Sequence, residues 1–324
     1  MNWQPTASLV NLKKRAEILA LIRQFFTHRQ VLEVDTQALS HATVTDLHLV
    51  SFETQFIDTG ANAESGKTLY LQTSPEFAMK RLLASGSGCI YQICKAFRNE
   101  ESGRNHNPEF TMLEWYRIGF DHFDLMAEVS ELAELVLKCK PAEQVTYQQV
   151  FINFVGIDPL QCSLDDLKQA VIDHKLNADW VLKENNLDTL LQYLFVELVE
   201  PNIGKTIPCL VYNFPASQAS LAKVSNTDSR VAERFELYFK GMELANGFHE
   251  LTDVNEQRRR FEADNDLRVE YNLAPKPVDE NLLSALQNSL PGCAGVALGI
   301  DRLLMLACAA KSIDEVIAFP VNRS

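Results

Sequence analysis

Residues 98–116, RNEESGRNHNPEFTMLEWY, narrow the choice of fold more than any other stretch of this chain. An apolar segment, Cys89 to Phe97, ends in Arg98-Asn99-Glu100. A polar loop follows, with Gly103, Asn105 and the turn signal Asn107-Pro108. The next segment, Glu109 to Tyr116, alternates with a period of two and sets Phe110, Met112, Glu114 and Tyr116 on one face. The two segments are expected to form an antiparallel hairpin. One side of it would carry a cation, carboxylates, aromatic rings and a phenol. That inventory suits a site gripping a phosphate and a cationic amine together. A surface hairpin with an Arg–Glu pair on its wet face would show the same local pattern.

The remaining periodicities extend the architecture. Leu9 to Phe26 keeps helical spacing. Val31 to Val34, Leu47 to Ile57 and Leu69 to Thr73 read as strands, and 58–68 as a loop. Ser74-Pro75 opens a helix from Glu76 to Ala84, with Ser74 as cap. Three helical stretches follow, Asp124–Lys138, Ser163–Lys175 and Leu187–Val199, as an insertion over 120–205. Strand character returns at Leu210–Pro215. A second hairpin runs from Arg234 to Phe239 and Met242 to Phe248 around Lys240-Gly241. Ala294–Leu298 is a strand, and Asp301–Ala310 a helix after Gly299. Strands clustered on both sides of a helical insertion indicate α+β, with a mainly antiparallel sheet flanked by helices.

The 324 residues are 46% hydrophobic and 23% charged, with a net charge of −13. An acidic balance disfavours bulk electrostatic binding of nucleic acid. Arg258-Arg259-Arg260, flanked by Glu256 and Glu262, reads as a solvated helix face. The seven cysteines are scattered, without zinc-site spacing, as expected of reduced thiols in a cytoplasmic protein. Val296 to Ala310 is interrupted by Asp301-Arg302, so no membrane span is expected. Neither glycine-rich phosphate motif occurs, so a nucleotide would have to be held by side chains.

Four constellations could do so. Arg98 at a strand end can take a phosphate bidentately, with Glu100 beside it and Phe110 able to stack on a base. Glu236 and Glu243, facing each other across FELYFKGMEL, would suit Mg²⁺. Glu250 falls out of phase with Glu243 on an unbroken strand, so Gly247 is expected to mark a bulge that turns Glu250 into a pocket. In GVALGIDR, Gly299 would let a ligand approach the backbone, and Arg302 would add a charge near a helix start. Each has a plainer reading as exposed hairpin, solvated carboxylate or strand-to-helix junction.

Together these segments resemble the catalytic domain of class II aminoacyl-tRNA synthetases, in the lysyl branch. FRNEESGRNHNPEFTMLEWY looks like that family's motif 2, and GVALGIDRLLML like its motif 3. Leu9 to Gln37 looks like motif 1, the dimer element, with Gln37 where a proline is usual. The resemblance implies ATP as a substrate, Mg²⁺ and a homodimer. It places the α-phosphate at Arg98 and the γ-phosphate at Arg302. Asn99, Glu100, His106, Asn107, Phe110, Leu244 and Gly299 would lie around the nucleotide, with Glu236 and Glu243 on the metal. Glu250 and Tyr116 would receive a distal ammonium. Glu76, in Ser74-Pro75-Glu76, would take the other amine, with Glu114 and Asn246 nearby.

Ala297 stands where lysyl enzymes carry glycine and would reshape the amino-acid pocket. Only eight residues precede motif 1, so the anticodon-binding domain and anticodon contact are expected to be lacking. A lysyl-type core of this kind resembles the elongation factor P–(R)-β-lysine ligases. Members activate lysine or (R)-β-lysine as an adenylate and pass it to a lysine of elongation factor P.

Overall fold

The computed structural model describes residues 3–60, 66–177 and 179–324. In chain order the elements begin with α1 (Leu9–His28), β1 (Leu32–Glu33), β2 (Leu39–Ser40), β3 (Glu53–Phe56), β4 (Lys67–Leu71), α2 (Glu76–Ala84), β5 (Ile90–Phe97) and β6 (Glu109–Ile118). There follow α3 (His122–Leu137), β7 (Glu143–Thr146), α4 (Tyr147–Val155), α5 (Leu164–Asp173), α6 (Leu187–Leu194), β8 (Cys209–Pro215), β9 (Val231–Phe239) and β10 (Met242–His249). The last four are α7 (Val254–Glu270), α8 (Glu280–Gln287), β11 (Cys293–Gly299) and α9 (Ile300–Ala307). The chain divides into two compact units. The first comprises Met1–Gly119, Thr252–Cys293 and Ala297–Ser324; the second comprises Phe120–Leu251 with Ala294–Val296.

In the first unit, strands run in the order β1-β5-β6, and β2, β4 and β3 form a small separate sheet; β11 is divided between the two units. β5 and β6 pair antiparallel from Ile90↔Tyr116 to Phe97↔Glu109, the hairpin expected from the alternation. β1 joins β5 in parallel. The core is aromatic: Phe26 of α1 stacks on Tyr91 at 4.4 Å and meets Trp115 edge-on at 5.4 Å. α1 starts where the Ser8 hydroxyl accepts from the Asn11 N–H, so a cap and an apolar face agree on its position. Buried Asp301 takes the Arg15 guanidinium and, at 2.6 Å, the Thr111 N–H. It is a tie between α1, β6 and α9 rather than a helix cap; the N-cap of α9 is Gly299.

In the second unit the order is β10-β9-β8-β7, with β8–β9 and β9–β10 antiparallel and β7–β8 parallel. Tyr147, Phe151, Phe195 and Phe214 fill the space beneath its helices. Burial of each such side chain stabilises the fold by roughly 1.5–3 kcal/mol. Asp121 and Asp124 form a reciprocal capping box at the start of α3, as do Ser163 and Asp166 at α5.

Two elements of the insertion, β7 and α4, escape a reading by periodicity. Thr146 both ends β7 and caps α4 through its hydroxyl, so no turn residue separates strand from helix. The stretch Leu187–Val199 is helical throughout but loosens to a π turn over Phe195–Val199, just before Pro201, which has no N–H to continue the ladder. Of the loop expected over 58–68, residues 61–65 lie outside the described residues, and Lys67 and Thr68 begin β4. The expected strand Leu47–Ile57 contracts to β3.

Gly204 allows the tightest backbone approach in the second unit. It sits at φ +59°, and a Cβ there would lie 2.5 Å from the Tyr238 carbonyl oxygen and 2.9 Å from its carbon. Gly204→Ala is therefore expected to destabilise the protein by about 3 kcal/mol, because neither backbone can yield cheaply and the conformation is disfavoured. A shift of the urea midpoint at unchanged slope checks this.

Candidate active site

The first unit gathers two groups of candidates. At the end of β5, the Arg98 N–H donates to the Pro108 carbonyl at 2.9 Å, closing the hairpin behind the loop. The Arg98 guanidinium lies 5.2 Å from the centre of the Phe110 ring and 3.7 Å from Glu101. Its Nε is buried with no hydrogen-bond partner. A partly exposed cation with an unsatisfied donor, steadied by an aromatic ring, is poised for an anion.

Glu100 adopts φ 68°, held by a hydrogen bond from its N–H to the Asn99 side chain, while the Asn99 N–H donates to the Val50 carbonyl. Glu100 is exposed. Gly103 and His106 pair across the loop, and Arg302 of α9 donates to His106 Nε2 at 2.6 Å. The second arginine is thus brought to the same loop as the first. Asn107 is buried and acts on the loop itself: its amide donates to the Glu109 carbonyl at 2.6 Å and accepts from the Val321 N–H at 2.9 Å. A cavity of about 210 Å³ opens here, lined in part by Gly103, Arg104, His106 and Asn107. At Gly299 a Cβ would meet the Arg302 stem at 3.8 Å, an ordinary contact, so no close approach demands glycine there.

The second group surrounds Glu114. Register puts Glu114 opposite Gln92, in the buried middle of the hairpin. Ser74 donates to one carboxylate oxygen at 2.6 Å and the Tyr116 phenol to the other at 2.7 Å. Burial, and secondarily the Glu76 carboxylate, nonetheless push the Glu114 carboxyl up to about 7. Ser74 is one residue outside the expected helix start: Pro75 occupies the N-cap position, and the Ser74 hydroxyl still accepts from the Glu76 N–H.

Glu76 itself is paired with buried Lys80 at 2.6 Å. Sequence reading passed over Lys80, although its i,i+4 spacing from Glu76 on α2 was a usable signal. Ser74, Pro75 and Glu76 line a narrow cavity of about 50 Å³ with Thr43, Val44 and Asp279. Ala297, on β11, is half-buried.

The second unit carries the other carboxylates on β9 and β10. Glu243 pairs with Tyr238 and Asn246 with Glu236, with the register slipping between Glu243 and Ala245. Glu236 and Glu243 therefore share a face but stand on a diagonal, not opposite each other as expected. The bulge lies at Leu244, whose side chain is buried, and not at Gly247. It restores the phase, so Glu243, Asn246 and Glu250 all project to the face of Glu236. Gly247 has a different cause: a Cβ there would overlap the Phe235 ring on the facing strand.

Glu236 accepts from Arg234 and from the Tyr238 phenol. Burial raises its carboxyl, the Arg234 guanidinium opposes the rise, and the Glu243 charge adds to it. Two repelling carboxylates on one face are a donor set that fits a hard divalent cation such as Mg²⁺. Arg234, also bonded to Asn246 at 3.3 Å, was not anticipated; its position two residues before Glu236 on one strand face was the available sign. Glu250 is buried at 2% exposure, and its backbone is bridged to Ala222. Among the described residues no helix is long and apolar enough to cross a membrane.

Comparison with known proteins identifies the family. Residues 3–323 match the family described as tRNA synthetases class II (D, K and N). The chain is 60% identical over 322 residues to the elongation factor P–(R)-β-lysine ligase of Vibrio atlanticus, covering 99% of each chain. It is 57% identical over 324 residues to the protein of that name from Pectobacterium atrosepticum, covering 100% of this chain and 98% of the relative. The Pseudoalteromonas translucida protein of the same name is 58% identical over 322 residues, with 99% and 98% covered.

Proposed function

The chain belongs to the class II tRNA synthetase family (D, K and N), and from that premise we propose that it ligates (R)-β-lysine, or lysine, to a lysine side chain of elongation factor P at the expense of ATP. The observation that carries this reading is identity near 60% over the whole chain to ligases of that name. The intact arginine and carboxylate sets described above support it.

In the first step a substrate carboxylate oxygen attacks the α-phosphorus of ATP in line. An O–P bond forms to give the acyl-adenylate, and pyrophosphate leaves. Arg98 holds the α-phosphate and Arg302 the γ-phosphate; fixed cations aimed at the developing charge lower the barrier. Asn99, Glu100, His106, Phe110, Gly299 and the backbone of Leu244 surround the nucleotide, and Asn107 shapes the loop. Bound at Glu236 and Glu243, Mg²⁺ would neutralise phosphate charge. Glu250 and Tyr116 take the distal ammonium. Ser74, Glu76, Glu114 and Asn246 position the other amine. In the second step the neutral ε-amine of the acceptor attacks the acyl carbon, an amide forms, and AMP leaves. We propose a homodimer working in the cytoplasm, without anticodon contact.

Intact-mass measurement of elongation factor P after incubation with this enzyme, ATP, Mg²⁺ and each lysine isomer tests the reading. A gain of one lysyl unit, largest with the β-isomer, is expected. Charged tRNA with unmodified elongation factor P would overturn it.

Glu114 makes amine binding depend on pH. With its carboxyl near 7, the empty site is protonated and neutral at pH 6 and anionic at pH 8. An ammonium group binds the anion. Affinity for the amino acid is therefore expected to rise with pH through this window, by up to about tenfold per unit below the midpoint. Calorimetric titration at pH 6, 7 and 8 checks it, and Glu114→Gln should flatten the profile. Ala297→Gly is expected to move substrate preference toward α-lysine by about tenfold, since one methyl in a pocket is worth roughly 1–3 kcal/mol. ATP–pyrophosphate exchange with both isomers reads the ratio.

A further inference from the structure

In the second unit, on the strand face opposite Glu236, lies a cluster that the ligase reaction does not use. His122, Glu233 and His249 bring one ligand atom each within 4.8 Å of one another. His122 is the first residue of α3, a helix that packs on β9 and β10. It is 5% exposed, and neither ring nitrogen meets a partner at hydrogen-bonding geometry. Its ring packs on Phe123 at 4.1 Å. The Asn213 side chain lies beside the ring but closes no hydrogen bond of good geometry to it, so the two buried imidazole nitrogens are under-satisfied, which is costly unless something occupies them. His249 Nδ1 and a Glu233 oxygen are already in contact.

The backbone prepares the arrangement. Lys223 donates its N–H to the His249 carbonyl at 2.9 Å, and its own carbonyl accepts from the Glu233 N–H at 2.8 Å. One residue thus fixes both strand ends. Asp121, next to His122, is committed to capping α3.

We propose that His122, Glu233 and His249 form a site for a borderline divalent cation, Zn²⁺ in the first place, which pins the start of α3 to the β9–β10 ends. Two imidazole nitrogens and one carboxylate oxygen are a familiar zinc donor set, with a fourth position left for water. Ligands of a tetrahedral zinc stand about 3.3 Å apart, given bond lengths of roughly 2.0–2.1 Å. The ion would replace the His249–Glu233 hydrogen bond, with the imidazole proton passing to the other ring nitrogen through water, and draw His122 in by side-chain rotation. A hard ion such as Mg²⁺ would not choose imidazoles, so this site is chemically distinct from Glu236 and Glu243.

The test uses the full chain, stripped by chelation and titrated with Co²⁺ and with Zn²⁺. One equivalent of Co²⁺ per chain is expected, with the visible bands of a four- or five-coordinate nitrogen–oxygen site. Zn²⁺ should abolish those bands and raise the thermal midpoint. His122→Leu and His249→Asn should each weaken binding about 100-fold or more, since even outer-shell partners are worth 10–100-fold. Circular dichroism establishes that the variants fold. Should His122→Leu not fold, the half-buried His249→Asn decides alone. No stoichiometric binding in excess Co²⁺, unchanged affinity in the folded variants, or the ultraviolet charge-transfer band of thiolate ligation would each overturn the proposal.

Discussion

Arg98→Ala is expected to leave the fold intact and to lower ATP–pyrophosphate exchange by about 10³-fold, nearly all of it in kcat. A single preorganised donor to a developing anion is worth 10²–10³ in rate, and here a full charge is lost with it. The geometry explains why little else should change. The guanidinium is held by a loose 3.7 Å approach to Glu101 and by the face of Phe110, and its Nε is unsatisfied. Removing it breaks no network. Arg98→Lys restores charge without the planar fork and is expected to stay at least about tenfold below the native enzyme. A loss confined to KM for ATP would mean that Arg98 binds ground state and transition state alike, against the assigned role.

The arginine hairpin was legible because its information is local. Alternation over Glu109–Tyr116 and a Gly/Asn/Pro loop suffice to specify register, and β5 and β6 pair as that pattern requires. The second hairpin was legible only in outline. Its turn at Lys240-Gly241 could be read, but the bulge was assigned to Gly247, the residue that usually marks one. Gly247 instead answers to the Phe235 ring, a contact set by tertiary packing, while the bulge falls at apolar Leu244. That displacement matters little for function. A bulge anywhere between Glu243 and Glu250 restores the phase, so the reason for expecting one survived the error in placing it. Lys80 and Arg234 show the opposite limit. Their spacing was visible, but that each neutralises a site carboxylate depends on burial, which a one-dimensional pattern does not carry. The His122–Glu233–His249 cluster was wholly out of reach, since it joins a helix start to strand ends more than a hundred residues away.

Glu250→Gln is expected to reduce kcat/KM for lysine-type substrates by about 10³-fold. Glu250 is 2% exposed, and its backbone is fixed by the Ala222 bridge and by the Leu251 N–H bonded to the Leu221 carbonyl. A carboxylate so placed cannot swing out to water. In the proposed reaction the substrate ammonium meets this carboxylate inside the protein. Glutamine keeps the shape and one acceptor oxygen but removes the charge, leaving the ammonium desolvated without a counter-ion, a loss of several kcal/mol. The discriminating measurement is adenylate formation with a substrate analogue lacking the distal amine. The native enzyme should reject it strongly, as sites built to bind a polar group do. Glu250→Gln should reject it far less, so the two substrates' kcat/KM values converge. Equal losses for both would place Glu250 in the scaffold and leave the distal ammonium to another residue.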